Sequence, residues 1–423
     1  MSRNGSSSSS RPPTPAFLKP TRDSLAQILT TLYEREQLRR SLGQQSRLLA
    51  AAATSSHSQA SAGWYSVAVG TLPGNVNKNR YGDIIAYDRT RVLAADGGGD
   101  APSADSESPP YVNASLVREP ELGVDEAVLP RRWWIAAQAP IASTVYDFLS
   151  LLLNPPSSPT CPTPLPPINL VVQLTPLVEG RRAKCHPYFP DREGETATVS
   201  PSTGKSAAPS LWVRLEKKEE REGARESVLR VGRQGDQEGR RIVHLEYLGW
   251  RDHGVPESAT HLLRFIQRVH ATNAQTAREA HGSEASDSPI LLHCSAGVGR
   301  TGTFIAISSL LPVLALQARG ELPAPTSSTT RSESAHPLGP YPADELLQSS
   351  EPNSAGAADS SSAASAAAAR ADRARDFVGA TIDGLRDQRT TMAQTSEQVA
   401  WVFDCLREAW RSGSYDNGPG RSA

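Results

Sequence analysis

The sequence predicts an α/β fold, one domain built around a single β-sheet with helices packed against it. Three observations predict it. Short apolar runs of strand length are mixed with longer stretches of helical periodicity. The apolar content of 38% is low for a chain of 423 residues, which points to one substantial core diluted by unstructured segments. A buried-type strand at 290–293 runs straight into a glycine-containing turn and then a helix, a unit suited to holding an anion.

Taken in order, residues 1–22 read as a disordered tail and 23–412 as the structured domain. Leu25, Ile28, Leu29 and Leu32 recur with helical spacing, and Ser24 with Gln27 forms a capping box, so a helix is expected from 24 to about 52. Its apolar stripe is expected to dock on the core. Strands are expected at 83–87, 111–117, 133–138, 170–174, 211–215, 227–231, 242–248 and 290–293. Helices are expected at 143–153, 258–271, 301–318, 371–386 and 396–411. Three low-complexity insertions, about 94–109, 192–210 and 320–370, are expected to loop out, and 413–423 to form a disordered tail.

Charge and cysteine usage exclude several classes. With 44 basic and 45 acidic residues the net charge is −1, so neither nucleic acid nor an anionic membrane is expected as partner. Cys161, Cys185, Cys294 and Cys405 form no disulfide framework and have no metal-ligand spacing. No metal or other cofactor is expected. A reducing compartment follows, the cytoplasm with the nucleus as a second location. The N-terminal stretch lacks the apolar run of a signal peptide, and its Arg- and Ser-rich start has no amphipathic helix to make it a transit peptide. The apolar run 304–316 is short for a bilayer and contains Pro312, so no membrane span is expected. A monomer is expected.

The chemistry concentrates in His293-Cys294-Ser295-Ala296-Gly297-Val298-Gly299-Arg300-Thr301-Gly302. The Cys–Arg spacing alone says little, because Cys405 and Arg411 repeat it inside a helical stretch without glycine; Cys405 is expected in the core. Around Cys294 the context differs. Gly297 and Gly299 permit tight turns that aim successive backbone N–H groups inward, and the following helix points its positive end at the same spot. Arg300 adds a planar fork matched to two phosphate oxygens. The same field favours ionisation of the Cys294 thiol, which makes it the expected nucleophile.

This loop closely resembles the signature of the tyrosine-specific protein tyrosine phosphatases, and further motifs extend the resemblance over nearly all of 24–411 outside the insertions. It implies a non-receptor type catalytic domain with a twisted mixed sheet flanked by helices, acting on phosphotyrosine-containing proteins through a phosphocysteine. Cys294 to Gly299 and Arg300 would then cradle the phosphate. Asn77-Lys78-Asn79-Arg80-Tyr81-Gly82-Asp83 resembles the recognition loop, with Tyr81 stacking on the substrate ring and Asp83 holding the peptide backbone. Trp250-Arg251-Asp252-His253-Gly254 resembles the mobile acid loop. Asp252 would be general acid and base, Trp250 the anchor and Gly254 the hinge. It departs from the family in carrying Arg251 where proline is usual. Glu179 would pin Arg300, and Lys184 would touch the acid loop. Gln394 would place the hydrolytic water with Gln398 in support. His293 would order the loop and tune Cys294, and Thr301 would donate to the departing thiolate. The segments at Tyr111–Ser115 and 135–140, with Trp133 and Trp134, read as core. The alternatives are a catalytically weakened phosphotyrosine-binding module and the same chemistry on another phosphate ester. The uncharged residues between Cys294 and Arg300 argue against polyphosphate head groups.

Overall fold

The computed structural model describes residues 13–52, 63–93, 111–201, 208–250, 254–282, 288–322, 336–344 and 375–415. An eight-stranded mixed sheet runs in the order β1-β2-β10-β3-β9-β8-β7-β6. Its strands are β1 (Ala114–Arg118), β2 (Trp133–Ala137), β3 (Leu170–Gln173), β6 (Thr196–Val199), β7 (Leu211–Arg221), β8 (Ala224–Arg233), β9 (Arg240–Tyr247) and β10 (Ile290–His293). A separate antiparallel hairpin pairs β4 (Val178–Glu179) with β5 (Arg182–Ala183). The central strands β2, β10, β3 and β9 are parallel neighbours, and the flanking pairs are antiparallel.

Strand alternation divides the core in two. Ile290, Leu292, Leu170, Val172, Trp134 and Ala136 face one apolar cluster, whereas Leu291, Val171, Ile135 and Ala137 face the other. The first cluster is covered by α1 (Arg22–Ala52), α5 (Ala259–His281), α6 (Gly299–Arg319), α7 (Phe377–Gln388) and α8 (Ser396–Ser412). The shorter α4 (Val145–Ser150) packs into the second. Two single-turn helices, α2 (Ala68–Thr71) and α3 (Pro73–Val76), lead into residues 77–83. Helix α6 is long and apolar enough to cross a membrane, but it is largely buried against α7 and α8. Its apolarity is therefore accounted for by the core.

Several expectations need correction. Residues 83–87 join no strand among the described residues; Asn113 Nδ2 donates to the Ile84 carbonyl at 2.6 Å, and the N–H groups of Thr90 and Arg91 donate to the Tyr87 carbonyl at 3.1 and 2.9 Å, so a side chain and a turn stand in for a ladder partner. Helix α1 begins at Arg22, two residues earlier than expected, and Thr21 Oγ1 accepts the Ser24 N–H at 3.1 Å. The supposed N-terminal tail contributes buried Phe17 and Leu18, with Phe17 edge-on to Phe377 at 5.1 Å. Within 192–210, the alternation of Thr196–Val199 forms edge strand β6 on β7. At the other end, Tyr415 stacks on Trp410 at 5.4 Å. The expected insertion at 94–109 lies outside the described residues.

The largest departure falls within 320–370, where residues 336–344 form a strap across α1 and α7. Arg35 donates to the carbonyls of Leu338 and Gly339, both at 2.9 Å, and to Asp383 on α7 at 2.9 Å. His336 Nε2 meets Asp387 Oδ1 at 2.9 Å, and the Tyr341 hydroxyl donates to Asp376 at 2.7 Å. Asp376 also caps α7 by accepting the Gly379 N–H at 2.8 Å, which explains why that helix starts at Phe377 and not near 371.

Burial pushes the Asp376 carboxyl up to about 6, above the roughly 3.9 of an unfolded aspartate. Between those values the folded protein holds the extra proton, so this group's contribution to stability falls as pH rises through the window. An Asp376→Asn variant keeps the capping oxygen and removes the titration. Melting curves from pH 4 to 6.5 are expected to show the Tm of wild type, relative to that variant, declining as pH rises; a constant difference would refute the assignment.

Candidate active site

Strand β10 delivers Cys294 to the open end of the sheet, and α6 starts five residues later. The path between them is defined by where its carbonyls go. The Cys294 carbonyl meets His293 Nδ1 at 3.2 Å, and that of Ser295 takes the Ala139 N–H at 3.0 Å. Arg389 donates to Ala296 O at 3.0 Å and to Gly297 O at 2.8 Å. Val298 O takes N–H groups from Gly302 at 2.8 Å and Ala393 at 3.2 Å. Five consecutive carbonyls are thus occupied by the surrounding protein. Because each trans peptide sets its N–H opposite its C=O, the intervening amides turn to the concave side. The Gly297 N–H donates to Cys294 Sγ at 3.2 Å.

The two loop glycines have different reasons. Gly297 sits at φ +72°, and a Cβ there would lie 2.1 Å from the Ala137 carbonyl oxygen. Gly299 is the first residue of α6 and lacks that left-handed geometry; a Cβ would press on the Gln398 amide at 3.1 Å. Close approach, not turn geometry, is what Gly299 supplies.

Cys294 opens on a cleft of about 310 Å³ whose walls include Tyr81, Lys184, Arg300, Gln394 and Gln398. Arg300, in the first turn of α6, donates to Glu179 Oε1 and to the Leu174 carbonyl at 3.2 Å. Glu179 also accepts from Thr175 Oγ1 at 3.2 Å, and its other oxygen pairs with Lys184 Nζ at 3.5 Å. The Ser295 hydroxyl donates to Lys184 O at 3.0 Å, which leaves it to accept from the Tyr81 hydroxyl at 2.9 Å. Tyr81 and Asp83 are exposed at the rim. Ala296 and Val298 complete the loop, with Val298 fully buried. Thr301 Oγ1 is buried with no hydrogen-bond partner among the described residues.

His293 is buried, and desolvation lowers its pKa to about 4. It is therefore a neutral imidazole. Its Nδ1 faces the Cys294 carbonyl and must carry the proton, and its Nε2 lies 3.0 Å from the Tyr188 hydroxyl, which also meets Gln173 and His244. Both ring nitrogens thus have partners inside the protein. On the far side, Gln394 is exposed at the cleft edge, while Gln398 is buried in a capping box with Thr395 at the start of α8. Trp250 is buried, and its Nε1 donates to Gly254 O at 3.2 Å; Gly254 has φ +87°. Arg251, Asp252 and His253 lie outside the described residues. Among the described residues Lys184 pairs with Glu179, and its expected contact with the acid loop falls on residues outside them.

Residues 75–321 match the family model described as protein-tyrosine phosphatase. The chain belongs to the protein-tyrosine phosphatase family. It is 33% identical over 255 residues to receptor-type tyrosine-protein phosphatase C of Mus musculus, covering 59% of this chain and 16% of that protein. It is 31% identical over 246 residues to tyrosine-protein phosphatase non-receptor type 13 of Homo sapiens, covering 58% and 8%. With protein-tyrosine-phosphatase PTP1 of Arabidopsis thaliana it shares 30% over 243 residues, covering 56% and 58%. The chain spans less than two thirds of the length of each.

Three supports of the cleft escape a reading of the sequence. Asn113 and Gln138, which read as core residues, hold the segment at 78–80. Asn113 Nδ2 bonds Asn79 Oδ1 at 2.9 Å, and Gln138 accepts the Arg80 N–H at 2.8 Å and donates to Lys78 O at 2.7 Å. The third is Arg389. Fully buried, it binds two loop carbonyls, Asn113 Oδ1 at 2.9 Å and Ser115 Oγ at 3.3 Å. Burial lowers its pKa to about 10, so the guanidinium still carries its charge at neutral pH. A lone arginine between a helix end and two threonines gives no signal of this role.

Lysine at this position has no planar fork to reach four acceptors. Arg389→Lys is expected to lower kcat/KM on p-nitrophenyl phosphate by about 10- to 100-fold through loss of loop geometry. Unchanged kinetics would show that the Ala296 and Gly297 carbonyls are held without it.

Proposed function

We propose that the protein hydrolyses phosphotyrosine in proteins through a phosphocysteine intermediate. The observation that carries this reading is the loop at 294–298. Its carbonyls are all directed outward, Cys294 sits within it, and Arg300 is fixed beside it by Glu179. A phosphate dianion in that cradle meets inward amides, the positive end of α6 and a guanidinium fork.

In the first step the Cys294 thiolate attacks phosphorus, the bond to the tyrosine oxygen breaks, and Asp252 gives that oxygen its proton. In the second, water placed by Gln394 attacks phosphorus and yields its proton to Asp252. The phosphorus–sulfur bond breaks, phosphate leaves and Cys294 returns as thiolate. The hydroxyl of Thr301, without a partner among the described residues, is available to donate to that thiolate. Tyr81, tied to the loop through Ser295, forms the wall for the aromatic ring, and Asp83 at the rim takes the peptide backbone. Lys184 and Glu179 keep Arg300 in pose, and Gln398 supports Gln394.

Arg251 replaces the proline usual in the acid loop. It frees one backbone dihedral and adds a charge, which alters closure while leaving the chemistry in place. Four free cysteines, one of them the nucleophile, suit a reducing compartment such as the cytoplasm.

Phosphate release from a phosphotyrosine peptide is expected from wild type and not from Cys294→Ser. Binding without release by wild type would identify a binding module instead. Asp252→Ala is expected to retain phosphotyrosine proteins in a pull-down, and no enrichment over wild type would sink the assignment of the acid. Arg251→Pro is expected to change kcat by altering loop closure. Identical kinetics would show that the loop closes equally well with either residue.

A further inference from the structure

We propose that Glu36, on helix α1, is a positioning residue for the hydrolysis of the phosphocysteine, acting by fixing the backbone that aims Gln394. This rests on the role of Gln394 proposed above. Glu36 lies outside the stretch 75–321 that matches the family model.

The turn between α7 and α8 is unfavourable on its own. Thr391 and Ala393 have φ of 54° and 51°, a left-handed geometry that is unfavourable for a residue with a Cβ. Gln394 follows directly. Such a turn persists only where its surroundings over-determine it. Two side chains do so here, one at each end. Glu36 Oε1 accepts the Thr390 hydroxyl at 2.7 Å and the Thr391 N–H at 3.1 Å. Arg386 donates to Met392 O at 2.9 Å and Ala393 O at 2.8 Å, and to Leu32 O of α1 at 2.9 Å.

The turn is also in register with the phosphate loop. The Ala393 N–H binds Val298 O at 3.2 Å, and a Cβ on Gly302 would lie 2.2 Å from Ala393 N. The Gln394 backbone is thus referenced to the nucleophile's loop on one side and to Glu36 on the other. Glu36 is buried, with Arg39 and Arg40 at 3.8 and 3.9 Å. It is a built-in carboxylate and not a solvated one. Without it, the Thr390 hydroxyl and the Thr391 N–H lose their acceptor, and the first left-handed residue loses its brace.

The two chemical steps should respond differently. Formation of the phosphocysteine draws on Cys294, Arg300 and Asp252, whereas its hydrolysis needs a water held by Gln394. A misplaced Gln394 slows attack by water and lets a small alcohol compete. In that transfer a bond from the alcohol oxygen to phosphorus forms, the phosphorus–sulfur bond breaks, the thiolate leaves, and the alcohol proton passes to Asp252.

The test is rapid-mixing turnover of p-nitrophenyl phosphate by the full chain, with ethylene glycol as competing acceptor. Glu36→Ala is expected to give a burst of nitrophenol close to wild-type rate, followed by a steady state slower by about 10- to 100-fold. The ratio of alkyl phosphate to inorganic phosphate should rise. Glu36→Gln, which keeps an acceptor oxygen, should lie between, and Thr390→Val should shift the ratio the same way without touching α1. A merely structural role for Glu36 would lower burst and steady state together and leave the ratio unchanged, which overturns the proposal. Gln394→Ala serves as reference. If it shows no burst and no change of ratio, the role of Gln394 falls, and the inference with it.

Discussion

The site depends on one constraint, that the carbonyls of residues 294–298 be drawn outward so that the amides can face inward. An anion nest is a backbone under electrostatic tension, because parallel N–H groups repel one another until an anion arrives. The protein meets this by giving every carbonyl on the convex side a donor. Those donors come from distant parts of the chain: Ala139 beyond β2, Arg389 after α7, Ala393 before α8 and His293 on β10. The mixed sheet and its helical cover are the means by which these groups reach one small volume.

A second tier of contacts makes that arrangement stiff. Asn113 and Gln138 fix the segment at 78–84, Glu179 fixes Arg300, and Glu36 with Arg386 fixes the turn before Gln394. Several of these groups are charged and buried, at the desolvation cost such burial carries. Their common property is rigid aim. Helix α1 is thereby tied to the turn before Gln394 through Glu36, and to the strap and α7 through Arg35, although its sequence shows little beyond an apolar stripe and many polar residues.

What was legible in the sequence is what short-range pattern encodes. The strand, glycines, cysteine and arginine of the phosphate loop are contiguous, and the period-2 and period-3.6 patterns around them located most of the sheet and helices. Roles that depend on convergence were not legible. Arg389 and Glu36 acquire meaning only when three remote segments meet them. Residues 83–87 look like a strand because they are apolar, yet the Ile84 carbonyl goes to the Asn113 side chain and that of Tyr87 to a turn. The β7–β8 hairpin reaches well past its apolar residues, since Lys217 to Arg221 pair with Ala224 to Val228 around a turn at Glu222 and Gly223, with φ of 51° and 72°. Charge on a half-exposed ribbon hides a strand from a hydrophobicity reading. The strap at 336–344 is concealed for another reason. It sits among serine and alanine repeats, and its anchors, Arg35, Asp376 and Asp387, are far away in sequence.

That strap bears on how α1 and α7 are held to each other. Arg35 on α1 spreads its donors over Asp383 on α7 and the carbonyls of Leu338 and Gly339, while Tyr341 and His336 reach Asp376 and Asp387 at the two ends of α7. Three segments remote in sequence therefore share one set of polar contacts, and removing any one of them leaves buried groups of the other two without partners. The strap acts as a clasp that closes only when all three are in place.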